Sequence, residues 1–182
     1  MAELTTKLVT GKVRFSYVHV FTPTAMEEGQ EKKYNISILI PKSDKATIAK
    51  AKAAIDVAYK KALAEKWGNK APRNWNNPLR DGDTEKDDEV YEGHYFINAK
   101  SVRKPKIVDK DFNEILDPED FYSGCFGRAS VNFFAFDTAG NKGVAAGLEN
   151  LMKLSDGEPL GGGASNPEDD FADNDDFDDD LA

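Results

Sequence analysis

Aromatic rings and fixed cations recur side by side along this chain. Arg14 lies between Val13 and Phe15, with Tyr17 two residues on. Lys32 and Lys33 precede Tyr34, and Tyr95 and Phe96 lead through Lys100 to Arg103, Lys104 and Lys106. Arg128 precedes Phe133 and Phe134. A ring offers a flat apolar face on which a nucleobase can stack, at roughly 1–3 kcal/mol per base, and a Lys or Arg can follow a phosphate backbone. Neither contact depends on which base is present, so the pattern suits an unpaired strand held without reading its sequence. Alternation alone leaves any one of these rings free to be core rather than surface. The Arg103–Lys106 cluster, placed where a strand runs out, is the part that packing explains least.

Other chemistries find little support. His19 and His94 are the only histidines, and neither has a Cys or carboxylate at metal-ligand spacing, which argues against structural zinc. Cys125 in SGCFGR reads as a small buried thiol before it reads as a nucleophile. The acidic run Asp81, Asp83, Glu85, Asp87, Asp88, Glu89 could hold Mg²⁺ for a nuclease, but it lacks the glycine of a calcium-binding loop. The stretch GNKG at 140–143 lacks the spacing of a phosphate-binding loop. The expectation is a binding protein with no cofactor, no metal and no enzymatic activity.

The charge is divided along the chain. The 182 residues carry a formal net charge of -9, yet nine acids and no Lys or Arg lie between Pro167 and Ala182. The rest holds 24 acids against 24 Lys and Arg, so the excess negative charge belongs to a tail with its own task. That tail ends Asp176-Phe177-Asp178-Asp179-Asp180-Leu181-Ala182, and Phe171, Phe177 and Leu181 punctuate the carboxylates. Such a run can imitate a DNA backbone, compete in cis for a cationic groove, and offer apolar anchors to a partner protein. The plain alternative is a solubilising tail. One cysteine permits no intrachain disulfide, and neither a secretion signal nor a membrane-length apolar run is visible, so the expected compartment is reducing.

The elements that must position these residues follow from period and punctuation. GKVRFSYVHVF (11–21) alternates as a strand with Val13, Phe15, Tyr17, His19 and Phe21 on one face, and KKYNISILIP (32–41) as a second strand antiparallel to it. Ser43 is expected to cap a helix over Asp44–Lys66, with Ile48, Ala51, Ile55, Ala58 and Ala62 as its buried stripe and Gly68 closing it. Residues 68–92, with two Trp-flanked Asn and Pro clusters and then RDGDTEKDDE, read as a long functional loop. A third strand is expected over 93–106, a fourth over 126–137, a hairpin turn at 139–143, and a fifth strand from Val144 that passes into a helical turn at GLENLMKL. The fold expected is mainly β with one long helix: an OB-like five-stranded Greek-key barrel over 1–160, followed by a Gly-rich linker and a disordered acidic tail over 161–182.

Several stretches together resemble a bacteriophage family of single-stranded DNA-binding proteins: GKVRFSYVHVF, KKYNISILIPKSD, GHYFINAKS, YSGCFGRASVNFFAFD and GNKGVAAGLENLMKLSDGEPLGGG, followed by the acidic tail. The resemblance implies an OB-like fold, non-specific single-strand binding in phage replication or recombination, and a tail that recruits replication or recombination proteins in the cytoplasm of a bacterial host. A long helix after the second strand, not the third, departs from a plain OB barrel. The resemblance supports the strands, and residue type selects within them Arg14, Phe15, Tyr17, Lys33, Tyr34, Tyr95, Lys100, Arg103, Lys104, Lys106 and Arg128 as the groove. Asp176, Phe177, Asp178, Asp179, Asp180 and Leu181 form the expected partner-binding tail, on a monomer or homodimer. A different class, an acidic mimic of DNA that inhibits host proteins, would spread carboxylates over its folded face, which the balanced body argues against.

Overall fold

The computed structural model describes residues 5–160 apart from 26–28, 30, 71–73, 87 and 139–140. The linker and acidic tail expected at 161–182, with Asp176, Phe177, Asp178, Asp179, Asp180 and Leu181, lie outside the described residues, as does the tip of the 139–143 turn.

The five alternating segments do become strands, and they close on one another. β2 (Val13–Thr24) pairs antiparallel with β3 (Lys33–Pro41), β3 with β5 (His94–Ser101), and β7 (Phe126–Thr138) with β8 (Asn141–Ser155). β7 also pairs with β2, and β8 runs parallel to β5, which completes a ring β7-β2-β3-β5-β8. The fold is thus mainly β, OB-like, with one long helix, and the described residues form eight strands where five were expected. The additional three are short: β1 (Lys7–Val9) on β7, β4 (Arg80–Asp81) on β5, and β6 (Lys106–Val108) parallel to β8. β6 separates from the expected 93–106 strand because residues 102–105 break the ladder around a buried Pro105.

Side chains of the inner faces, among them Phe15, Ile36, Ile38, Ile97, Val131, Phe133 and Leu151, form one buried core. Helix α1 (Lys45–Glu65) lays its stripe of Ile48, Ala51, Ala54, Ile55, Ala58 and Ala62 on that core, and Lys50, Lys52, Lys60 and Lys61 face outward. Its cap is Asp44, not Ser43. A turn over 41–45 delays the helix by one residue, and the Asp44 carboxylate then accepts both the Thr47 N–H at 3.1 Å and the Thr47 hydroxyl at 2.6 Å. Gly68, two residues past the C-cap Lys66, takes the left-handed φ of +59° that a glycine beyond a helix end accepts without strain. Among the described residues no helix is long and apolar enough to cross a membrane.

Two of the register shifts in the sheet reverse the expected alternation where the site is built. In β2 the pairing passes from Ser16↔Ser37 to His19↔Asn35, so Tyr17 and Val18 together oppose Ile36 alone. Tyr17 takes up the extra residue in a left-handed conformation, φ +49°, and the Val18 N–H donates to the Ser123 hydroxyl at 3.0 Å. Val13 and Phe15 therefore point inward, Phe15 against its expected place in the groove, whereas Tyr17 and His19 point out. In β8 the pairing jumps from Val131↔Leu148 to Ser130↔Asn150, leaving Glu149 unpaired. Leu148 and Leu151 are both buried at a separation of three, a spacing that imitates a helical turn but comes from the bulge. The expected turn at GLENLMKL is continuous strand.

Candidate nucleic-acid interface

The outer face of β2, β3 and β5 is hollow. One concavity of about 600 Å³ is lined by Tyr17, His19, Lys33, Asn35, Lys86 and Lys100, and a second of about 1060 Å³ by Trp75, Asn76, Arg80, Lys100, Phe134 and Phe136, among others. Lys33, Asn98 and Lys100 line both, so the two meet in one trough across the middle of β3 and β5. Alternation explains the meeting point: Lys33 and Asn35 of β3 and Asn98 and Lys100 of β5 are outward residues of paired strands, with Asn35 opposite Lys100 in the register.

The rings at either end are available. Tyr17 is 54% exposed and Phe134 48%, and Trp75 and Phe136 are half-buried. Among the described residues, Lys33, Lys86 and Lys100 form no ion pair, whereas Arg80 is paired with Glu85 at 2.9 Å. Lys86 Nζ stands 5.9 Å from the Tyr17 ring centre and 5.4 Å from that of Tyr91, and Arg80 lies 5.3 Å from the ring of Phe96. Glu31 and Glu85 are the carboxylates in the lining. Stacking faces at both ends with unpaired ammonium groups between them can hold bases and phosphates together.

The rim is built by the described residues of 74–94, which are structured rather than the long surface loop expected from sequence. They contain β4, a single helical turn α2 (Gly82–Glu85) and a 3-10 turn (Glu89–Tyr91). Trp75 packs on Tyr59 of α1 with ring centres 4.7 Å apart. The Asn76 N–H donates to the Lys142 carbonyl and the Val144 N–H to the Asn76 carbonyl. That bridge requires glycine at 143, since a Cβ there would stand 2.6 Å from the Asn76 oxygen. Farther on, Lys42 Nζ donates to Asp81 at 2.8 Å and Asp83 at 2.7 Å, and Asp83 also accepts the Gly93 N–H at 2.9 Å. The Lys42 ammonium holds both carboxyls below the usual carboxylate range, and they raise its own pKa above the usual lysine value. Asp81 and Asp83, candidates for a metal from sequence, are thereby engaged as a clasp. Burial pushes the Cys125 thiol up, away from the reactive thiolate.

Of the residues selected from sequence, the trough brings together Tyr17, Lys33 and Lys100. Arg103 is exposed and Lys104 Nζ sits 5.3 Å from the Phe21 ring, both just beyond Ser101 and Val102, which line the trough. Phe15 is fully buried against Phe121, ring centres 5.1 Å apart, and offers no face to a base. Arg14 is engaged with the protein: its guanidinium donates to the carbonyls of Gly124 at 3.1 Å and Glu158 at 2.8 Å. Tyr34 has the opposite parity to Lys33 and Asn35, and Tyr95 packs against the core beneath Lys42 and Lys52, so neither lines the trough. Lys106 and Arg128 lie on another surface, beside Val9 and Phe112. Sequence reasoning missed Trp75, Asn76, Arg80, Lys86 and Phe136 as lining. The Asn- and Trp-rich composition of 74–80 was the available signal for the first three.

The match to known proteins covers most of the chain. Protein p50 of Acyrthosiphon pisum secondary endosymbiont phage 1 is 34% identical over 167 residues, 86% of this chain and 88% of that protein. The single-stranded DNA-binding protein from bacteriophage Enc34, solved in complex with single-stranded DNA, superposes with a TM-score of 0.75 at 26% identity, covering 85% of this chain and 89% of that one. The single-stranded DNA-binding protein of bacteriophage T7 shares the fold, with a TM-score of 0.63 at 16% identity over 92% of this chain and 93% of the other. The family model described as the ssDNA-binding protein of Enterobacter phage Enc34 matches residues 6–182, and the chain belongs to that family.

Proposed function

We propose that this protein binds single-stranded DNA without reading its sequence, as a non-enzymatic coat for exposed strands, with the strand lying in the trough over β2, β3 and β5. The observation that carries the reading is the run of unpaired Lys33, Lys86 and Lys100 between the exposed rings of Tyr17 and Phe134. A relative with the same fold, solved with single-stranded DNA, supports it. Arg103 and Lys104 extend the cationic path at the end of β5. The bases stack on the rings while the ammonium groups neutralise phosphates, so affinity is steeply salt-dependent and nearly indifferent to base composition.

Residues 1–160 act as the binding domain and 161–182 as linker and acidic tail. The tail competes with DNA for the trough cations and recruits replication or recombination proteins of the phage through Phe177, Leu181 and the carboxylates of Asp176, Asp178, Asp179 and Asp180, in the host cytoplasm. Fluorescence anisotropy of a labelled dT oligomer tests the reading. Binding that falls with salt, is matched by mixed-sequence oligomers, and tightens when 161–182 are removed is the expected result. No binding at low salt, or equal binding by Lys33→Ala/Lys100→Ala, would overturn it.

A further inference from the structure

A second surface has the composition of a docking seat and no occupant in the described fold. On the outer face of β1, β7, β8 and β6, near the open end of the β7–β8 hairpin, Val9, Val108, Phe112 and Met152 line a concavity of about 290 Å³. Phe112 is 76% exposed and Val9 44%, the former the most exposed of the large apolar side chains of the described fold. Phe112 also sits in a left-handed turn, φ +67°, a conformation that Asn or Gly accepts far more easily than a bulky side chain. An aromatic ring held out to water at a strained position calls for contact elsewhere. Lys106 and Arg128 flank the apolar floor, and among the described residues neither has a carboxylate partner. Arg128 is anchored by donating one N–H to the Thr10 carbonyl at 2.8 Å, which leaves the rest of its fork free.

The occupant that fits is this chain's own acidic tail. An apolar floor with cations at its edge complements a segment in which Phe171, Phe177 and Leu181 alternate with carboxylates and no base occurs after Pro167. The chain also leaves the body at the correct end. The Leu160 N–H donates to the Ser123 carbonyl, and Tyr122 donates to the Gly157 carbonyl at 2.9 Å. Gly157 lies close against the Phe126 ring, and Phe126 is two residues from Arg128 on β7. The eleven residues from Leu160 to Phe171 span at most roughly 35–40 Å, and only a few strand residues separate the exit from the seat.

We infer that, when DNA fills the trough, the displaced tail seats Phe171 on the Val9–Val108–Phe112–Met152 surface with the neighbouring carboxylates of Glu168, Asp169, Asp170 and Asp173 against Lys106 and Arg128, which leaves Phe177 and Leu181 to partner proteins. DNA occupancy would then move the tail from one face to another, giving partner proteins a fixed signal of a coated strand. The inference rests on the DNA-binding reading, and the test separates the two.

A nitroxide placed at Ala172→Cys in the full chain is selective, because Cys125 is fully buried. With a dT oligomer at saturation, verified by anisotropy on the same sample, the amide signals of Val9, Val108 and Phe112 should broaden. Phe112→Asn, which suits the left-handed turn, should restore the Val9 and Val108 signals, and in a chain lacking 161–182 it should leave oligomer affinity unchanged. An oligomer that never binds refutes the DNA reading. A bound oligomer with those signals unbroadened, or with broadening centred on Tyr17 and Lys100, refutes the tail seat. Loss of oligomer affinity caused by Phe112→Asn in a chain lacking 161–182 would also refute it, by making the surface part of the DNA path.

Discussion

The β7–β8 hairpin carries two different surfaces on one outer face. Toward its turn, Phe134 and Phe136 stand out over Ala145 and Ala146 and wall the trough; toward its open end, Arg128 and Ser130 stand out beside Asn150 and Met152 under Val9 and Phe112. The turn half offers aromatic faces with free lysines across the way. The open half offers a mainly aliphatic floor with cations at the edge. Both halves have net positive edges, so charge alone does not distinguish them; ring shape does, because flat rings suit bases and aliphatic hollows accept rings from elsewhere. The Glu149 bulge lies between the halves and resets which β8 residues face out, so one pair of strands can serve both surfaces.

The contrast can be broken at its base. In the open half Gly127 lies against the Met152 carbonyl and the Phe15 ring, so Gly127→Ala must part the strands. We expect a stability loss of about 3 kcal/mol or more in denaturant titration, whereas Gly147→Ala in the turn half, whose Cβ would meet Phe134 at 3.4 Å, should change stability by less than about 1 kcal/mol. Equal losses would mean that the halves are packed alike. Next in size, Phe134→Ala should weaken oligomer binding by about 1–3 kcal/mol in anisotropy titrations, with Phe112→Asn unchanged when both are made in a chain lacking 161–182. A smaller, electrostatic effect should follow from Lys33→Ala/Lys100→Ala. The slope of log K against log salt should fall by about 1.4, near 0.7 for each single-strand phosphate no longer neutralised, while Lys106→Ala leaves the slope intact.

The smallest effect concerns the clasp that holds the trough rim. Asp81 and Asp83 are depressed below their ordinary 3.8, so their share of rim stability is present above that pH and lost as pH falls through their folded values. Lys42 is raised above its ordinary 10.5, so its share is present below that pH and lost as pH rises through its folded value. Exchange of the Gly93 amide, corrected for intrinsic rate, should therefore be level between about pH 4 and pH 10 and faster outside that window. Lys42→Met should speed it a few-fold in the window and leave exchange at Val131 in the core unchanged.

Much of this was legible from local pattern. Strand positions, the helix stripe from Ile48 to Ala62, the need for a barrel, and Lys33 and Lys100 as outward cations follow from period and residue type. The tail's charge is visible only in the sequence, since residues 161–182 lie outside the described fold. The exceptions trace to one cause. Phe15 and Tyr17 share a parity, and nothing in GKVRFSYVHVF says that a bulge falls between Ser16 and His19; the loop from Phe121 to Cys125 supplies the partners that stabilise it, with the Phe15 N–H donating to Cys125 and the Val18 N–H to Ser123. Leu148 and Leu151 likewise look like a helical turn until strand β7 sets the register. The segment at 74–80 becomes a wall only because Tyr59 and β8 stand where Trp75 and Asn76 can reach them. What the sequence determined by itself was which segments extend, which coils, and where charge accumulates, because propensity and composition act over a few residues. Which face each ring meets was left to the tertiary structure, because one extra residue in a ladder inverts every side chain after it, and that insertion is stabilised by groups more than a hundred residues away.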